Sequence, residues 1–328
     1  MVKGKRIGAL LIFLSFLAIG SSAAAEDKFP SQPIELLVGY SPGSMSDVIG
    51  RLIAPLMARE LGGPVVVVNK PGGAGAIAAE YLAKAKPDGH TIMECSFNAM
   101  AWRPHTQHVK YTFHDFTYIL SHSDYNFAFL VRKDAPWKTF REWLDYARKN
   151  PGVKYGSPST FSIPHIVMEW VAKHEKIKIL HAPFKGDGET AAALLGKHID
   201  VSGSAGAAIP IVEGGQLRTL LQLCGDPPDP TPAMVQRLMD VYPNFSPGLK
   251  IGVEMPMGVV GPKGMSAPVV KKLAAALKKA TETEEFVKFN KQYRTSVVVW
   301  NGDLIFQNVK LASDTFGEVL NDLGFVKK

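Results

Sequence analysis

Apolar residues along this chain follow two periods in alternation: short β-branched runs of the strand kind, and longer stretches that repeat every three or four positions. The runs predict strands at 34–39, 65–68, 91–96, 127–132, 153–156, 178–181, 199–203, 217–223, 251–260 and 296–299. The helical period predicts helices at 46–61, 75–85, 139–149, 163–174, 188–196, 206–214, 231–241, 266–280, 282–291 and 301–322. Within 46–61, Ile49, Ile53 and Met57 recur every fourth residue beside Val48, Leu52 and Leu56, which makes one apolar stripe for packing against a sheet. Pro55 lacks the N–H owed to the preceding turn and predicts a kink or a break there. Strand and helix in this order argue for α/β architecture, with doubly wound parallel sheets covered on both faces and ligands at the carboxyl ends of the strands.

Two of those strand ends repeat one design. Ile34-Glu-Leu-Leu-Val-Gly-Tyr-Ser-Pro-Gly-Ser-Met-Ser-Asp47 and Val65-Val-Val-Val-Asn-Lys-Pro-Gly-Gly-Ala-Gly75 each run an apolar strand into a Gly/Ser/Pro loop and then a helix. Such a loop aims the free N–H groups of a helix N-terminus beyond the strand, a place suited to an anion. Ser44 and Asp47 also stand at capping spacing, so Asp47 serves helix closure as readily as ligand contact.

The size of the chain, 328 residues, suits two lobes better than one core. The alternation breaks near Ser121-His-Ser-Asp-Tyr-Asn126 and near 250–253, which places one discontinuous lobe at 26–125 with 253–328 and a second at 126–252. Asp226-Pro-Pro-Asp-Pro-Thr-Pro232 reads as a rigid, helix-free connector. Residues 1–25 read as a cleavable secretory signal: Lys3, Lys5 and Arg6, an apolar run from Ile7 to Gly20, then Ser21-Ser-Ala-Ala-Ala25. A periplasmic, monomeric protein is the expectation. Its loss removes three of the 37 Lys and Arg residues, leaving 34 against 30 acids, a balance too small and scattered for nucleic acid but suited to anionic small molecules. Cys95 and Cys224 lie in apolar strand-like runs and read as two buried thiols rather than a disulfide.

Tyr40-Ser-Pro-Gly-Ser-Met-Ser-Asp47, Asn69-Lys-Pro-Gly-Gly-Ala-Gly75, Pro87-Asp-Gly-His90 and Pro183-Phe-Lys-Gly186 with Leu194-Leu-Gly-Lys-His-Ile-Asp200 fall at strand ends. In order and spacing, from about Phe29 to the C-terminus, they resemble the Bug family, the periplasmic solute receptors of tripartite tricarboxylate transporters. The resemblance implies a type II periplasmic binding protein fold, two lobes joined by two crossing strands, and a carboxylate-bearing ligand delivered to membrane transporter subunits without any cofactor. It implies ligand contact from the first loop, with Tyr40, Gly43, Ser44, Met45, Ser46 and Asp47. It also implies contact from the loop Tyr155-Gly-Ser-Pro-Ser-Thr-Phe-Ser-Ile-Pro-His165, through Ser157, Ser159, Thr160, Phe161 and Ser162. Ser44 and Met45 replace glycines of the family pattern, and Phe161 stands among positions usually small and polar. Phe97 and Asn98 at the end of the 91–96 strand, and Lys185, complete the candidate set. Asn69 and Asp200 read as loop anchors.

Other classes fit less well. Gly73-x-Gly75-x-x-Ala78 with Glu94 mimics a dinucleotide fingerprint, but Asn69-Lys-Pro71 intervenes and it opens the second strand-helix unit. Arg103-Pro-His-Thr-Gln-His-Val-Lys110 reads as an irregular basic surface rather than a metal site. No nucleophile motif points to an enzyme. A receptor of an ABC transporter or a periplasmic sensor subunit with the same fold is the alternative within the binding class.

Overall fold

The computed structural model describes residues 29–204, 206–225, 235–245, 250 and 253–325. Among them the strands form two five-stranded sheets. The first contains β1 (Ile34–Val38), β2 (Val65–Asn69), β3 (Thr91–Ser96), β4 (Phe116–Ser123) and β10 (Met257–Pro262) in the order β2-β1-β3-β10-β4. The second contains β5 (Phe127–Arg132), β6 (Val153–Ser157), β7 (Ile179–Pro183), β8 (Val201–Ser204) and β9 (Leu217–Cys224) in the order β7-β6-β8-β5-β9.

The sheets are mixed, not parallel throughout. β1 runs parallel to β2 and β3, and β6 to β7 and β8, but β10 is antiparallel to β3 and β4, and β5 to β8 and β9. The reason lies in the connectivity. Each antiparallel strand is the one by which the chain arrives from the other sheet, β5 after β4 and β10 after β9. It pairs with the strand by which the chain leaves, so arrival and departure lie side by side in both sheets.

Local chemistry sets the ends of the first helix, Met45–Leu61. The Ser44 hydroxyl accepts from Asp47 N–H at 3.3 Å, and Gly62, at φ 70°, ends the last turn by donating to Ala58 O at 3.0 Å. The helix runs unbroken through Pro55, which lies on its exposed side.

Two elements absent from the sequence reading are helix Phe97–Thr106 and strand β4. The stretch 103–110 is therefore irregular only from 107 onward, where His108 and Lys110 are exposed: Arg103 sits inside that helix and is buried, and Trp102 stacks on Phe316 of helix Gly302–Leu323 at 3.9 Å between ring centroids. β4 is masked in the sequence by its polar end, Ser121-His-Ser123, all of it buried. The expected strand at 296–299 makes a single isolated bridge, between Ser123 and Val297. Of the expected helix at 231–241 the structure forms Leu238–Val241, and β10 begins six residues later than expected, at Met257. The proline connector at 226–232 and the signal at 1–25 lie outside the described residues.

The glycines of the second loop serve packing rather than a dinucleotide. A Cβ on Gly39 would stand 2.6 Å from the Gly75 Cα, so the β1 and β2 loops touch backbone to backbone. Gly39→Ala is expected to destabilise by about 1–3 kcal/mol in urea unfolding. Gly43→Ala faces open space at φ 83° and should cost only about 1 kcal/mol, from backbone strain alone.

Candidate ligand-binding cleft

Between the two sheets lies a small cavity lined from both sides. The first half contributes Tyr40, Ser44, Ser46, Ser96, Asn98 and Arg103, the crossing segment Tyr125 and Phe127, and the second half Pro158, Ser162, Ile163 and Asp187. Among these lining residues Arg103 is the cation and Asp187 the anion.

Arg103 is 3% exposed. Its Nε donates to Ala74 O at 3.1 Å, and an NH1 hydrogen donates across the cleft to Phe161 O at 2.7 Å, with Thr160 O at 3.4 Å. Carbonyls orient the guanidinium without cancelling its charge. Asp187, 5% exposed, opens helix Asp187–Leu195 and accepts from Met45 N–H at 3.4 Å. Burial pushes the Tyr40 phenol above its usual range, Arg103 pulls it down and Asp187 pushes it up, so both charges bear on one hydroxyl.

The first loop uses its own amides. Gly43 N–H donates to Asp47 Oδ2 at 2.9 Å, Ser44 N–H to Ser41 O at 3.2 Å and Met45 N–H to Asp187. The chain supplies acceptors for all three of these groups, and Gly43 and Met45 stand outside the cavity lining. Asp47 is likewise a closure residue, bound by Arg51 at 2.9 Å and by Asn69 Nδ2 at 2.9 Å. Burial pushes its carboxyl up, but hydrogen bonds from Arg51, Gly43 and Asn69 outweigh that and hold it below the usual carboxylate range.

Of the other expected residues, Tyr40, Ser44, Ser46, Asn98 and Ser162 do line the cavity. Phe97 is core, edge-on to Tyr118. Ser157 is buried beneath the second loop, its hydroxyl 2.7 Å from His181 Nε2, and Ser159 lies against Tyr40 from the opposite half. Thr160 contributes its carbonyl to Arg103. Phe161 adopts φ 59°, donates its N–H to His165 Nδ1 at 2.9 Å and points its ring at Phe325, away from the cavity lining. Lys185 is exposed; only its carbonyl crosses the cleft, accepting from Ser41 N–H at 3.2 Å. Sequence reading missed Ser96, Arg103, Tyr125, Phe127, Pro158, Ile163 and Asp187. Among the described residues no cluster of His, Cys, Asp or Glu suits a metal ion, and both cysteines are free thiols.

The family model described as tripartite tricarboxylate transporter family receptor matches residues 49–324. The chain belongs to that family. The receptor is 34% identical over 282 residues to the "UPF0065 protein in gbd 5'region" of Cupriavidus necator, covering 85% of this chain and 84% of that one. Its fold matches the periplasmic binding protein BugD at a TM-score of 0.81 and 23% identity, covering 92% of this chain and 100% of that one. It also matches MatC from Rhodopseudomonas palustris with bound malate at a TM-score of 0.77 and 22% identity, covering 89% and 100%. Both likenesses show the type II binding-protein fold, two α/β lobes facing a cleft. Among the described residues no helix is long and apolar enough to cross a membrane.

Beneath the receptor's first loop, Glu94 and His122 are fully buried with Oε1 and Nε2 3.7 Å apart. They are not an ion pair. Burial pushes the Glu94 carboxyl up to about 8, with the Ser46 hydroxyl moderating and the Asp47 charge reinforcing the rise, and burial pushes His122 down to about 3. Glu94 is therefore a neutral acid at pH 7, unlike a carboxylate that would hold a ribose. The folded state holds the Glu94 proton more tightly than the unfolded state between 4.5 and about 8, so stability falls as pH rises through that window. His122 acts oppositely between about 3 and 6.5. The range from 6.5 to about 8 isolates Glu94. Wild-type melting temperature is expected to fall across it, and Glu94→Gln to flatten that fall; parallel curves for the two proteins would contradict the assignment.

Proposed function

We propose that this protein is an extracytoplasmic solute receptor that captures a small organic carboxylate between its halves and delivers it to the membrane subunits of a tripartite tricarboxylate transporter. The observation that carries this reading is Arg103, a buried guanidinium in a cavity lined by both halves and surrounded by serine, tyrosine and asparagine groups. Burying a full charge is costly unless an opposite charge meets it, and a ligand carboxylate supplies one with two acceptors matched to the guanidinium fork. The family and the fold support the same role.

Export follows from the signal at 1–25, and the mature protein works as a monomer in the periplasm. The lobes comprise 26–125 with 253–328, and 126–252. They hinge at the crossing segments, and a ligand stabilises the closed state because only there do both lobes reach it. Contacts that opening must break include Ser41 N–H to Lys185 O at 3.2 Å, Arg103 to Phe161 O at 2.7 Å and Arg294 with Glu213 at 3.0 Å. The ligand is bound and released unchanged.

A thermal-shift screen of carboxylates is expected to raise the melting temperature in proportion to RT ln(1 + [L]/Kd), with chelator making no difference. Arg103→Gln should weaken binding of any hit by about 10- to 100-fold. A response confined to sugars, cations or nucleotides would exclude this function. With a saturating hit, small-angle scattering should show a lower radius of gyration at unchanged circular dichroism.

A further inference from the structure

The left-handed backbone at Phe161 is strained for so bulky a side chain, and such a conformation persists only where the surroundings over-determine it. Two ties hold its backbone: the N–H donates to His165 Nδ1 at 2.9 Å, and the carbonyl accepts from Arg103 at 2.7 Å. The ring supplies a third. It stands edge-on to Phe325, with centroids 5.4 Å apart and planes at 88°, and Phe325 also meets the His165 ring at 5.9 Å.

Phe325 comes to this loop from the other half of the molecule. Helix Gly302–Leu323 packs along the helix that carries Arg103, through the Trp102–Phe316 stack and a bond of 2.8 Å between His105 Nε2 and Ser313 Oγ. At its end Gly324, at φ 78°, turns the chain, and Phe325 N–H donates to Leu320 O at 2.8 Å, which sets the ring against the second loop. Beside it Lys173 donates to Asp322 Oδ1 at 2.6 Å. Both members of that ion pair are at least half exposed, so it contributes little and the aromatic contact carries the attachment. From Ser313 to Leu323 the helix extends about 15 Å. One rigid element thus grips both partners of the bond between Arg103 and Phe161.

We propose that Phe325 is a positioning residue for the cleft: it holds Phe161 in the left-handed conformation that turns the Phe161 carbonyl onto Arg103. Phe325 does not line the cavity, so its effect passes through Phe161. Its effect on affinity rests on the reading of the cleft as a carboxylate site, whereas its effect on the loop is measurable without any ligand.

The test is hydrogen exchange of the Phe161 amide in the ligand-free full-length protein, followed by NMR beside the amides of strand β1. Phe325→Ala is expected to speed exchange at Phe161 by about two- to tenfold, the worth of one aromatic pair, and to leave β1 unchanged. Phe325→Tyr keeps the ring and should restore the wild-type rate. In a Phe161→Ala background, which offers no ring to Phe325, Phe325→Ala should change the rate at position 161 by less than about twofold. Isothermal titration with succinate and with benzoate supplies the ligand arm: a probe that wild-type protein binds should bind Phe325→Ala about two- to tenfold more weakly, with rescue by Phe325→Tyr. An unchanged rate at Phe161, an increase shared equally by β1, or the same increase in both backgrounds would overturn the proposal. If neither probe binds wild-type protein, the exchange rates still decide the role of Phe325, and only the carboxylate reading loses support.

Discussion

A guanidinium buried between two halves of a chain constrains everything around it. Arg103 cannot shed its proton, so its charge must be met by dipoles from both sides or by a ligand. Ala74 O meets it from the second loop of the first half, and Thr160 O and Phe161 O meet it from the second half. The left-handed backbone at Phe161, uncommon for a bulky residue, belongs to the same loop whose carbonyls turn toward the guanidinium, and the Phe161 N–H is held by His165. The helix that carries Arg103 is itself fixed by Trp102 stacked on Phe316, so the C-terminal helix supports the cleft from behind.

The cleft floor is governed by the opposite choice, keeping charge out. Glu94 and His122 are buried where neither can ionise near neutral pH, and Asp47 nearby keeps its charge only because Arg51, Asn69 and Gly43 surround it. Three acids lie close to the first loop, Asp47, Glu94 and Asp187, yet each has a different electrostatic role. Asp47 closes a helix, Glu94 stays neutral beneath it, and Asp187 brings its carboxylate from the other half to the Met45 N–H.

The α/β alternation, most element boundaries and the first-loop cap were legible in sequence because each depends on neighbours within a few residues. Ser44 and Asp47 announce their bond by spacing alone. Arg103 did not, because its partners lie 57 and 58 residues away and its helix contains Pro104, which reads as a breaker. Asp187 was missed by two positions in favour of Lys185. The helix that begins after Gly186 turns residue 187 inward and leaves 185 outside, a phase that no periodicity reveals at a helix start. Strand β4 was hidden by polar residues that are buried only because β10 returns from the other sheet to lie beside them.

Two of the contacts between the halves depend on backbone atoms at the loop positions involved. Ser41 gives its N–H to the carbonyl of Lys185, and the residues answering Arg103 from the second half, Thr160 and Phe161, do so through carbonyls. The side chains at 41, 160 and 185 are therefore released from the task of docking. Mutation there can rewrite what the mouth of the cleft presents to a passing solute while the halves still meet in the same register. At these three positions the bond between the halves outlasts a change of side chain, whereas at Arg103 one side chain serves both the contact and the cavity.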